Sequence, residues 1–76
     1  MWVVRAFAKS ADHLAGEIAL HDFTADVIRP FFAVAPEDPM YDAYPVSLEV
    51  AEALSPYLAG TLDLEKYDYF VEFHRD

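Results

Sequence analysis

The chain has 76 residues, with fourteen Asp and Glu against five Lys and Arg, a formal net charge of −9. Its hydrophobic content of 55%, with 16% aromatic, is too high for a disordered acidic tail, so one small folded domain with an acidic surface is expected. That balance leaves no basic footprint for nucleic acid and disfavours anionic membranes, so the expected partner is a basic protein.

Trp2 to Ala8 reads as a strand, with Trp2, Val4, Ala6 and Ala8 on an apolar face. Val3, Arg5, Phe7 and Lys9 take the other face. Lys9 to Gly16 is a turn region, and Glu17 to Phe23 a second strand with Ile18 and Leu20 inward. A helix from Ser10 to about His21 competes, but it places Gly16 mid-helix at a cost of about 1 kcal/mol. The hairpin is preferred. Thr24 is a candidate N-cap for a short helix through Phe32, which Pro30 must kink or shorten.

Ala35 to Val46 holds three prolines and no helical period, so an ordered loop is expected, anchored by Met40, Tyr41 and Tyr44. Ser47 caps a second helix with Val50, Leu54, Tyr57 and Leu58 as its buried stripe. Gly60 suits the position after it, and Pro56 disturbs its last turn. Tyr67 to Phe73 is the last strand. Tyr67, Tyr69, Val71 and Phe73 share one face; Asp68, Phe70, Glu72 and His74 share the other. The expected fold is α+β in two layers, a small antiparallel sheet in β-β-α-α-β order with two helices on one face. Its core should include Trp2, Val4, Ile18, Leu20, Val27, Val50, Leu54, Leu58, Tyr69 and Val71.

Catalytic patterns are weak. His13, His21 and His74 show no ligand spacing and read as solvated surface groups. Glu37, Asp38 and Asp42 cluster around Pro39, but without the Asp-x-Asp-x-Asp-Gly pattern of a calcium loop. No nucleophile elbow is present, and two glycines cannot build a phosphate-cradling loop. No cofactor, metal or enzymatic activity is expected. The chain has no cysteine, no basic segment leading into an apolar run and no stretch approaching the length of a membrane span. A cytoplasmic location is expected.

Two features stand out. One is the segment Asp38-Pro-Met-Tyr-Asp-Ala-Tyr-Pro45, either a stiff crossover whose tyrosines pack on the core or a binding loop with Tyr anchors in an acidic rim. The candidate partner-binding residues are Asp38, Met40, Tyr41, Asp42 and Tyr44, with Glu65 and Asp68 as further acidic contacts and Tyr69 as an additional anchor. The other is the sheet face opposite the helices, where Val3, Phe7 and Phe70 lie among Arg5, Asp68, Glu72 and His74. It is either ordinary scattered apolar surface or a patch for a partner or a homodimer.

The run Asp38-Pro-Met-Tyr-Asp-Ala-Tyr-Pro-Val46, the helix containing Pro56-Tyr57-Leu58, and Tyr67-Asp68-Tyr69-Phe70-Val71-Glu72 together resemble a family of small acidic bacterial proteins of unknown function. The resemblance covers roughly the C-terminal half and transfers no catalytic residue. In size and charge the chain is also similar to bacterial immunity proteins, the small cytoplasmic inhibitors of toxins. That similarity implies an acidic module that occludes a basic toxin domain. The alternative is an interaction or structural module with a non-toxin partner, itself included.

Overall fold

β-Branched and aromatic residues put the N-terminal segment into β1 (Trp2–Ala8), one of the two inner strands of the computed structural model, which describes residues 1–11 and 13–74. The sheet has four strands in the order β2-β1-β4-β3, each pair antiparallel. β2 spans Leu14–Ala19, β3 is only Tyr44–Pro45, and β4 spans Tyr67–Phe73. β1 and β4 have the bounds expected from their alternation, and they pair along their whole length from Trp2↔Phe73 to Ala8↔Tyr67.

The second strand is displaced from the expected Glu17 to Phe23. It starts at Leu14, and Leu20 follows it as a lone bridge to Leu58. A β-bulge lies near its start. Ala6 pairs with Gly16 but Phe7 pairs with Leu14, leaving Ala15 as the extra residue. The bulge reverses the alternation at its start, so Leu14 joins Phe7 on the face away from the core. Past β2, the Leu20 N–H donates to the Trp2 carbonyl at 3.0 Å and the His21 N–H to the Tyr57 carbonyl at 2.9 Å.

The segment from Thr24 to Phe32 does not form the expected helix. It makes two 3-10 turns, Ala25–Val27 and Arg29–Phe31. Pro30 lacks an N–H and would clash with the carbonyl of Asp26 in an α-helix, whereas the first residues of a separate turn tolerate it. Ile28, between the turns, is fully buried. The Arg29 side chain ties them to the following loop, its Nε donating to Asp26 Oδ1 at 3.1 Å and its Nη1 to the Ala35 carbonyl at 2.8 Å.

The single α-helix among the described residues, α1, runs Leu48–Leu54. Ser47 caps it: its Oγ accepts from the Val50 N–H at 3.3 Å. Ser47→Ala is expected to cost about 1 kcal/mol, read as a lower urea midpoint with an unchanged slope. The helix stops at Leu54, short of the expected Tyr57 and Leu58: Pro56 tightens the end into a 3-10 turn over Ser55–Tyr57, and Gly60 is not its C′ residue. Val50 and Leu54 point from α1 into the core, where they meet Val4 and Ala6 of β1, Tyr44 of β3, and Tyr69 and Val71 of β4. Leu20, Phe23, Ile28 and Met40 complete it from the connecting segments. The fold is α+β, with α1 and the 3-10 turns on one face of an antiparallel sheet. Of the residues expected in the core, Val4, Leu20, Val50, Leu54, Tyr69 and Val71 are buried, Trp2, Val27 and Leu58 are half-buried at its margin, and Ile18 is half-buried. No helix among the described residues is long and apolar enough to cross a membrane.

Candidate functional site

The proline-rich loop is ordered by its own backbone chemistry. The Asp38 N–H donates to the Ala35 carbonyl at 3.0 Å, and Asp38 Oδ1 accepts from the Met40 N–H at 2.8 Å. This Asx turn throws Met40 into the left-handed region at φ 57°. That conformation costs about 1–2 kcal/mol for a residue with a side chain. Full burial of Met40 in the core offsets it.

The two loop tyrosines part company after Met40. Tyr44 enters β3 opposite Val71, is buried, and packs against Phe32 with ring centroids 4.9 Å apart. Burial pushes its phenol above the usual tyrosine range. Asp38 and Asp42 add to the effect and Arg29 opposes it. Tyr41 turns outward. Its ring stacks on Phe73 at 4.9 Å with an interplanar angle of 24°, yet the residue is 57% exposed. One face therefore rests on the protein and the other is open to water.

Tyr41 also ends a row of aromatic rings. Phe73 meets Trp2 at 5.3 Å, Trp2 meets Phe23 at 5.5 Å and Phe23 meets Tyr57 at 5.7 Å, each edge to face. Such pairs contribute about 0.5–1.5 kcal/mol each beyond their buried area, so the row is a stiff backing for the exposed ring. The row was not legible in the sequence, because its members come from β1, β4 and three connecting segments. Only the Tyr-rich loop signalled one end of it.

The other sequence candidates divide. Asp42 is exposed next to Tyr41, and Asp38 is half-buried through its turn. Met40 and Tyr44 support the loop from within the core. Tyr69 is buried as well, and its hydroxyl accepts from the Asp63 N–H at 2.8 Å. Asp68 lies near the far end of β4, about 17 Å from Phe73 along the strand and on the opposite face of the sheet, and Glu65 lies in the turn that precedes β4. They neighbour lysines: Asp68 is 3.6 Å from Lys9 Nζ, and Glu65 borders an open cleft lined by Lys9, Ser10, Lys66 and Tyr67. The fold does not bring Glu65 and Asp68 to the loop. No group of three metal-ligating side chains occurs among the described residues.

The family model described as a domain of unknown function, DUF7683, matches residues 1–72. The chain belongs to the DUF7683 family. The match extends well beyond the C-terminal motifs and takes in β1 and β2. Comparison with curated proteins gives no match.

Proposed function

We propose that this chain is an acidic protein-binding module that holds a basic partner, a toxin domain, and blocks it sterically without catalysis. The observation that carries the reading is the presentation of Tyr41: a rigid ring, open on one face, with Glu37, Asp38 and Asp42 along the same loop. A pre-ordered aromatic anchor loses little entropy on binding. Carboxylates around it steer a cationic surface towards the ring. Asp22, Asp26, Glu49 and Glu52 extend the acidic character over the turns and α1. The toxin identity of the partner rests on the similarity to immunity proteins in size and charge, and such a module works in the cytoplasm beside the toxin's target.

Capture of the partner from the native organism, followed by expression of that partner alone, tests the proposal. A basic protein that is toxic alone and harmless when co-expressed supports it. A neutral or acidic partner, or one without toxicity, rejects the toxin reading. Association should also slow as salt rises, mainly through the on-rate, because exposed charges are screened over about 10 Å at 0.1 M ionic strength. Stopped-flow rates that stay flat from low to high salt would contradict the steering role.

A further inference from the structure

The sheet face turned away from the core carries a continuous apolar stripe. Leu14 of β2 lies across from Phe7 of β1. Phe7 meets Phe70 of β4 edge to face at 5.8 Å, and Phe70 lies across from Pro45 of β3. The stripe crosses all four strands diagonally: Leu14 is 42% exposed and Pro45 exposed, Phe7 and Phe70 are half-buried, and Val3, expected in the patch, is buried. An antiparallel sheet with one solvated face normally alternates to polar residues there. A contiguous apolar band is the exception, and bands of this kind can serve as interaction surfaces.

Charge identifies what covers it. One flank of the stripe holds Arg5, 3.3 Å from Glu17 and 3.6 Å from Glu72, with His74 3.6 Å from Glu17. The Arg5 Nε is buried without an aligned hydrogen bond, and its guanidinium lies 5.7 Å from the centre of the Phe7 ring. The other flank holds the Lys9–Asp68 pair. Two cations thus stand against three carboxylates on this face. Elsewhere among the described residues Asp22, Asp26, Glu37, Asp38, Asp42, Glu49, Glu52, Asp63 and Glu65 face only Arg29 and Lys66. The open face is the part of this acidic molecule where a like-charged neighbour meets least repulsion.

We infer that this face is a homodimer interface and that its occupant is a second copy of the chain. Two sheets packed face to face lie about 10 Å apart with their apolar side chains interdigitated. A two-fold axis along the stripe lays it on its own copy. That rotation also sets Lys9 and Asp68 of one protomer towards the Arg5 and Glu72 flank of the other, so opposite charges can meet. The inference does not depend on the basic-partner reading, since it leaves Tyr41 and the acidic loop on the outer face of each protomer.

Sedimentation equilibrium of the full chain from micromolar to millimolar concentration tests it. The expected result is a monomer–dimer equilibrium that tightens as salt screens the residual repulsion. Leu14→Glu, at an exposed position, should raise the dimer dissociation constant about tenfold or more, since it places a charge in the apolar stripe. Phe70→Thr should weaken the dimer from a different strand. Leu48→Glu is the matched control: Leu48 is 63% exposed on α1, in the opposite layer, and its replacement should leave the dimer intact. A chain that stays monomeric throughout overturns the inference. So does a dimer that survives Leu14→Glu, or one that Leu48→Glu disrupts.

Discussion

Replacing Leu54 by Ala is expected to destabilise the domain by about 2–5 kcal/mol. Leu54 is fully buried at the end of α1, in one cluster with Val4, Tyr69 and Val71. Truncation removes its transfer free energy and leaves a cavity under the only α-helix among the described residues. At ordinary per-residue stability a chain of this length has about 4–11 kcal/mol in all, so the upper end of that loss unfolds a large share of the molecules. Urea unfolding checks it: a midpoint within experimental error of the parent would mean that α1 does not close the core.

The second large effect separates the two loop tyrosines. Tyr44→Ala should cost about 3–5 kcal/mol, because it empties a buried site against Phe32. The fraction that remains folded should bind the proposed basic partner with undiminished affinity. Tyr41→Ala and Asp42→Ala should do the reverse. Tyr41 is mostly solvated and Asp42 exposed, so thermal midpoints should move little while the proposed partner's affinity falls. An anchoring aromatic commonly costs about 2 kcal/mol or more on truncation, roughly thirtyfold in affinity. Intact affinity in Tyr41→Ala would remove the loop from the binding surface. Lost affinity with unchanged stability in Tyr44→Ala would make Tyr44 a contact after all.

The legible parts of the fold are those whose local signals agree. Alternation placed β1 and β4, and the Ser47 cap placed the start of α1. Beside them, the alternation of Phe7 and Phe70 put both on the open face. What stayed hidden depends on contacts between distant segments. The Thr24–Phe32 stretch has helical spacing, but Pro30 removes the bond that spacing needs, and burial of Ile28 is satisfied by two tight turns. The bulge at Ala15 inverts the facing of Leu14, so a strict two-residue period could not assign it to the stripe. β3 is two residues long and one of them is proline, which no strand pattern reveals. In the loop, composition offered scaffold and binding readings together. The geometry assigns Met40 and Tyr44 to the first and leaves Tyr41 available for the second, a division that depends on the left-handed turn at Met40.

The sheet's two borders bear on how this chain avoids cross-β assembly. On the β2 side the bulge twists one end of the strand, and the His21 N–H at the other is already donated to Tyr57. The outward amide groups left between them centre on Glu17 and Ala19, too short a run to seed a growing ladder. On the other side β3 offers two residues, one without an N–H. In a chain with 55% hydrophobic residues, an open strand edge is a template for such assembly. Here both borders offer little to strand-by-strand extension, so the face-to-face dimer inferred above would close the assembly at two, whereas edge pairing would leave it open-ended.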